Sequence, residues 1–161
     1  MIILGIDPGT ATTGYGIIDV SKSKNEPKLV DFGVITTKAK LSDAERLQIL
    51  ADDLLKLIKK YKPSAVGVEK LFFTTNQKTV MTVSQARGAA LFICQKNKIP
   101  IVECTPLQVK SFICGYGKAD KKQVQFMVQK TFKLRTPPKP DDAADALAVA
   151  LYAAFHHSKP R

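Results

Sequence analysis

Apolar and polar positions follow two periods along this chain, and each period predicts its own kind of element. Residues 1–6, MIILGI, are apolar without interruption, which is the pattern of a strand buried on both faces. DPGT follows as a turn. TGYGIIDV (13–20) and KLVDFGVITT (28–37) read as two further strands, and the polar SKSKNEP between them as a hairpin loop. Then the period changes. Leu47, Leu50, Leu54, Leu57, Ile58 and Tyr61 recur at helical spacing behind Ser42 and Glu45, which match a capping box, so a helix is predicted over 43–61.

Pro63 resets the chain into AVGVE, a short buried strand ending at Glu69. KLFFTTNQK reads as a loop, 79–96 as a second long helix, and IPIVEC as a fifth strand. PLQVKSFICG and KKQVQFMVQKTF predict two helices parted by GYGKAD. A last, almost wholly apolar helix runs from Asp141 to about His156. Three strands in succession and then alternating helix and strand predict an α/β fold with a mixed sheet. With 161 residues and no long linker or repeat, one domain over 1–157 with a short basic tail at 158–161 is expected.

Composition changes this picture in one respect. The chain carries 25 Lys and Arg against 14 Asp and Glu, a net charge of +11. That excess attracts polyanions, of which nucleic acid is the commonest. Eight of the cations lie between Lys110 and Lys139 against one acid, Asp120. Several crowd around GYGKADKK, where glycines allow close approach to phosphate. Cys94, Cys104 and Cys114 form no C-x-x-C pair, so they read as small buried hydrophobes in a reducing compartment. No apolar run is long enough to span a bilayer and no leader pattern opens the chain, so a cytoplasmic protein with no membrane partner is expected.

In so basic a chain the placement of acids is informative. Asp7 sits one residue past the first strand, Glu69 at the end of the fourth, and Asp142 and Asp145 three apart at the start of the last helix, hence on one face. Each alone has a simpler account: turn nucleation for Asp7, an ordinary strand end for Glu69, an N-cap for Asp141 or Asp142. Together they point elsewhere. Asp145 lies a turn inside the helix among Ala143, Ala144, Ala146 and Leu147, where an uncompensated acid is costly. If the first and fourth strands are neighbours, Asp7 and Glu69 leave the sheet at one edge, to which the last helix could bring its acidic first turn. Oxygen ligands gathered so select hard divalent cations, Mg²⁺ with Mn²⁺ as a substitute. Two such ions about 4 Å apart can clamp the attacking and leaving oxygens of a phosphodiester.

GIDPGTATTGYGIID, VGVEKLFFTTN, SQARGAA, QVKSFICGYGKADKKQVQFMV and DDAADALAVAL, in this order along almost the whole chain, resemble the RuvC family. These are bacterial Holliday-junction resolvases. The resemblance implies a ribonuclease H-like fold, with a five-stranded mixed sheet flanked by helices. It implies a homodimeric endonuclease with two Mg²⁺ per active site that cuts two opposed strands of four-way junction DNA, leaving 5′-phosphate and 3′-hydroxyl ends. It places the catalytic, metal-holding acids at Asp7, Glu69, Asp142 and Asp145 and leaves Asp141 to capping or solvent; that Asp7 bridges the ions is expected from its place on a central strand. DNA contacts are expected at Lys110 and Lys121 near the scissile phosphate, at Lys118 and Lys122 peripherally, and at Phe72, with Phe73 beside it, as a stacking aromatic. The helix TVMTVSQARGAALFICQ, rich in small residues, is expected in the dimer interface, and the RuvA–RuvB branch-migration complex as a partner. Two other readings are weaker. An actin-like ATP-binding fold shares the look of GIDPGTATTGYG but needs a second phosphate loop, which is absent here. A YqgF-like nuclease shares the fold but acts on RNA, and QARG and ADKKQV favour the RuvC likeness.

Overall fold

The computed structural model describes residues 1–71 and 77–157, with only the helical backbone of 77–79. Five strands, β1 (Ile2–Asp7), β2 (Thr12–Asp19), β3 (Lys28–Thr36), β4 (Ala65–Glu69) and β5 (Ile101–Cys104), form one sheet in the order β3-β2-β1-β4-β5. β1 pairs antiparallel with β2 and β2 with β3, while β1–β4 and β4–β5 are parallel, so the sheet is mixed as expected. The helices are α1 (Asp43–Tyr61), α2 (Gln77–Lys96), α3 (Pro106–Cys114), α4 (Lys121–Thr131) and α5 (Asp141–His156). Among the described residues no helix is long and apolar enough to cross a membrane.

Alternation along the strands sorts the core into two layers. Leu4, Ile6, Val66 and Val68 turn to the side covered by α1 and α2, where Leu50, Leu54, Ile58, Ala86, Ala90 and Cys94 are buried. Ile3, Ile18 and Ala65 turn to the other side, under α5, with Val109, Val124 and Val128 of α3 and α4 beside it. On this second side the sheet shows glycine. A Cβ at Gly5 would stand 2.1 Å from the Ala146 carbonyl oxygen, and one at Gly14 would stand 2.0 Å from that of Asp142. α5 answers with alanine: Ala143, Ala144, Ala146, Ala148, Ala150, Ala153 and Ala154 are all fully buried. The helix thus lies on the strands almost backbone to backbone, which dispersion favours as long as nothing larger intervenes.

Local signals act as the sequence predicts at Ser42, whose capping box with Glu45 is formed. Two further boxes were not anticipated, Thr105 with Gln108 on α3 and Asp120 with Gln123 on α4; a Gln at the third helical position does the work of Glu. Most boundaries move by one or two residues: β1 runs to Asp7, β2 spans Thr12–Asp19, β3 stops at Thr36, α2 starts at Gln77, β5 starts at Ile101, and α3 and α4 end one residue early. Of the two roles expected for Asp141, capping or solvent, capping is corrected, while the side chain is exposed. Pro140 is the N-cap of α5, with no side-chain cap bond, and Asp141 and Asp142 follow inside the first turn, where the helix dipole favours them. The three cysteines are free, Cys94 and Cys104 buried and Cys114 half-buried.

Candidate active site

β1 and β4 run parallel side by side, so their C-terminal ends open at one edge of the sheet. Asp7 and Glu69 stand there. Both share the strand face of Gly5 and Gly67, the positions whose missing side chains let α5 come close. α5 begins at the same edge, where the carbonyl of Asp142 lies over Gly14. One turn on, Asp145 faces the strand ends. The acids thus converge because the glycines admit the helix.

The electrostatics record that convergence. Burial, then the charges of Glu69, Asp145 and Asp142, push the Asp7 carboxyl up to about 8; Lys121 opposes the rise. Burial, then Asp145, push Glu69 up to about 7, and Lys110 opposes. Asp145 is raised chiefly by burial, with Lys121 acting against it. Each feels a lost hydration shell and like-charged neighbours. Lys121 shows the converse: burial works against its charge, but Asp145, Asp141 and Asp142 hold it above its ordinary value. Its Nζ lies 3.4 Å from Asp145 and 3.5 Å from Asp141.

A cleft of about 200 Å³ opens beside this group, lined by Glu69, Lys110, Lys121 and Asp145 over an apolar floor that includes Val109, Val124 and Ala148. Among the described residues no three acids, histidines or cysteines are drawn close enough to close around an ion. The donor set nevertheless fits a hard cation. Its members are carboxylates, and burial with the charges of Glu69, Asp145 and Asp142 raises the Asp7 carboxyl, a cost that a bound cation would relieve.

The predicted residues therefore divide. Asp7, Glu69, Asp142, Asp145, Lys110 and Lys121 gather here. Lys118 and Lys122 are exposed nearby in chain, at the turn before α4 and in its first turn; Lys122 lines a separate hollow with Tyr116 and Phe126. Phe72 and Phe73 lie outside the described residues. One residue was missed as a site neighbour. Arg87 of α2 donates from Nε to the Glu69 carbonyl at 3.2 Å and pairs with Glu103 of β5. QARG marks it in the sequence, but only the fold shows what it touches.

The family model for crossover junction endodeoxyribonuclease RuvC matches residues 3–153. The crossover junction endodeoxyribonuclease RuvC of Fusobacterium nucleatum is 54% identical over 151 residues, covering 94% of this chain and 78% of that protein. Its counterpart in Pelotomaculum thermopropionicum is 45% identical over 161 residues, covering 100% and 97%. Among solved structures, Thermus thermophilus RuvC in complex with Holliday junction substrate superposes with a TM-score of 0.90 at 33% identity, over 97% of this chain and 94% of that one. The yeast mitochondrial Holliday junction resolvase, at 14% identity and a TM-score of 0.67, shares the fold. The sheet order, the gathered acids and a match running nearly end to end agree, and this chain belongs to the RuvC family of crossover junction endodeoxyribonucleases.

Proposed function

We propose that this chain is a structure-selective endonuclease that resolves four-way DNA junctions by paired, symmetric nicks with Mg²⁺ bound at its four acids. One observation carries the reading: Asp7, Glu69, Asp142 and Asp145, brought from three elements, act on one another beside a cleft walled by Lys110 and Lys121. Bound there, Mg²⁺ would supply an activated water and neutralise charge growing on phosphorus and the leaving 3′ oxygen. β1 is the central strand of the sheet, so Asp7 stands at the middle of the group, where Glu69, Asp145 and Asp142 all raise its carboxyl. Lys110 and Lys121 draw the scissile phosphate toward carboxylates that alone would repel it. Lys118 and Lys122 hold flanking phosphates, and Phe72 stacks on a base near the cut, a role that rests on its sequence position.

Two coordinated cuts need two sites related by a twofold axis. α2 supports that arrangement. Its inner side buries Ala86, Ala90 and Cys94, while Met81 and Phe92 stand 66% and 63% exposed on its outer side, with open space at Gly88 between them. A second copy placed on this stripe would cover it.

The test offers the protein a synthetic four-way junction, a matched DNA duplex and an RNA hairpin, each with Mg²⁺ or with EDTA. Paired nicks confined to the junction and to Mg²⁺, with ends that a ligase seals, are expected. Equal cutting of the duplex, preference for the RNA, or cutting in EDTA would sink the proposal.

A further inference from the structure

Arg87 joins three elements at the edge where the acids meet. It stands on α2 next to Ala86, which is fully buried and locks that turn of the helix against the sheet. Its Nε donates to the Glu69 carbonyl at 3.2 Å, and its Nη2 pairs with the Glu103 carboxylate on β5. Glu69 needs such a hold. The β1–β4 ladder ends at Ile6–Val68, one residue short of it, and the β4–β5 ladder ends at Glu69 itself, opposite Cys104. Beyond, the Lys70 amide still bonds the Cys104 carbonyl at 2.7 Å. Glu69 is therefore the residue at which the strand leaves the sheet on the β1 side, and Arg87 bonds its carbonyl. The side chain is 21% exposed, so much of the guanidinium is committed to these two partners.

We infer that Arg87 is a positioning residue for Glu69: by fixing the backbone where β4 ends, it aims the Glu69 carboxylate at Asp7 and Asp145. Arginine suits this task because its planar fork serves two acceptors on different elements at once, which a single ammonium cannot do in the same geometry. The inference rests on the reading of Glu69 as a cation ligand. Supports behind a ligand typically matter by roughly 10–100-fold in metal affinity or activity.

The experiment measures Mn²⁺ affinity by calorimetry without DNA, junction cleavage as kcat and KM, and melting temperature, for wild type, Arg87→Gln, Arg87→Lys and Glu69→Gln. Arg87→Gln should weaken Mn²⁺ binding and lower kcat, each by about tenfold or more, with KM for the junction nearly unchanged. Arg87→Lys, which keeps the charge, should fall between and stands in if Arg87→Gln does not fold. A purely structural role would lower the melting temperature while Mn²⁺ affinity and kcat per folded molecule stayed at wild type, and that overturns the inference. Glu69→Gln separates the two failures. If Glu69→Gln binds Mn²⁺ as wild type does, the reading of Glu69 fails; if it loses binding while both Arg87 variants keep theirs, only the positioning role fails.

Discussion

The two faces of the sheet are covered by opposite means. Under α1 and α2, large aliphatic side chains interdigitate: Leu50, Leu54 and Ile58 against Leu4, Ile6, Val66 and Val68. Under α5, glycine on the strands meets alanine on the helix, and the separation is set by backbone atoms. A side-chain layer can lose a methylene and partly relax. A backbone layer has nothing to relax with. The rigid face is the one that carries the acids, since Asp7 and Glu69 leave from it and Asp142 and Asp145 arrive on it. Coordination chemistry tolerates little error in ligand position, and the stiffer packing has gone where that tolerance is least.

The comparison is sharpened most by a change that disturbs neither face. Asp7→Asn keeps the volume and removes the charge at the centre of the group. Junction cleavage should fall by roughly a thousandfold or more, since several kcal/mol of charge stabilisation depends on the bound cation. Junction affinity measured in EDTA should be retained. Cleavage at the wild-type rate would remove Asp7 from the site.

Next in size is Gly14→Ala. Its methyl group would meet the Asp142 carbonyl oxygen at 2.0 Å, against backbone on both sides, so the first turn of α5 must lift. A shift of about 1 Å at catalytic groups costs on the order of 100-fold in rate, and overpacking costs about 1–3 kcal/mol in stability. Assays of turnover and of urea unfolding on this variant should show both losses. Leu54→Ala makes the opposite perturbation on the opposite face. Leu54 is fully buried, so stability should drop by about 2–5 kcal/mol, yet turnover per folded molecule should stay within a few fold of wild type. If Leu54→Ala hurt turnover as much as Gly14→Ala does, the two faces would not differ in the way described.

Much of this was legible in the sequence, and the part that was not has a physical reason. Residues 43–61 announced α1 because an amphipathic surface helix writes its period openly, with a capping box at Ser42. Asp7, Glu69, Asp142 and Asp145 stood out because acids are scarce in a chain of net charge +11 and these sit at element ends. Gly5 and Gly14 did not stand out. A glycine needed for close approach looks, in sequence, like one needed for a turn, and only the helix laid across it tells them apart. Arg87 was hidden for the same reason: its partners, Glu69 and Glu103, are 18 and 16 residues away and belong to two different strands. Asp141, read as cap or solvent residue, is exposed but not the cap, which is Pro140, since the cap depends on backbone angles that the residue type alone does not set.

The smallest expected effect concerns pH in the absence of metal, and its sign follows from burial. Asp7 has an ordinary value of 3.8 and is pushed up to about 8 in the fold; Glu69 rises from 4.5 to about 7. Folded protein therefore holds protons that the unfolded chain has already released. A raised carboxylate lowers stability as pH climbs from its unfolded value to its folded one, and the loss is complete above the latter. In EDTA the melting temperature should fall between about pH 4 and pH 8 on account of these two groups. Asp7→Asn should lack most of that fall, so it should melt above wild type at pH 8, with the gap closing toward pH 4. Mg²⁺ should raise the wild-type melting temperature at pH 8 and scarcely move that of Asp7→Asn, because a cation can take the proton's place only where the carboxylate remains. The face under α1 and α2 supplies the control. Leu54→Ala removes no titrating group, so its curve should run parallel to wild type at lower temperature. Should Asp7→Asn also run parallel, Asp7 would not be held among carboxylates beneath α5, and the backbone-tight face would lose its link to the site.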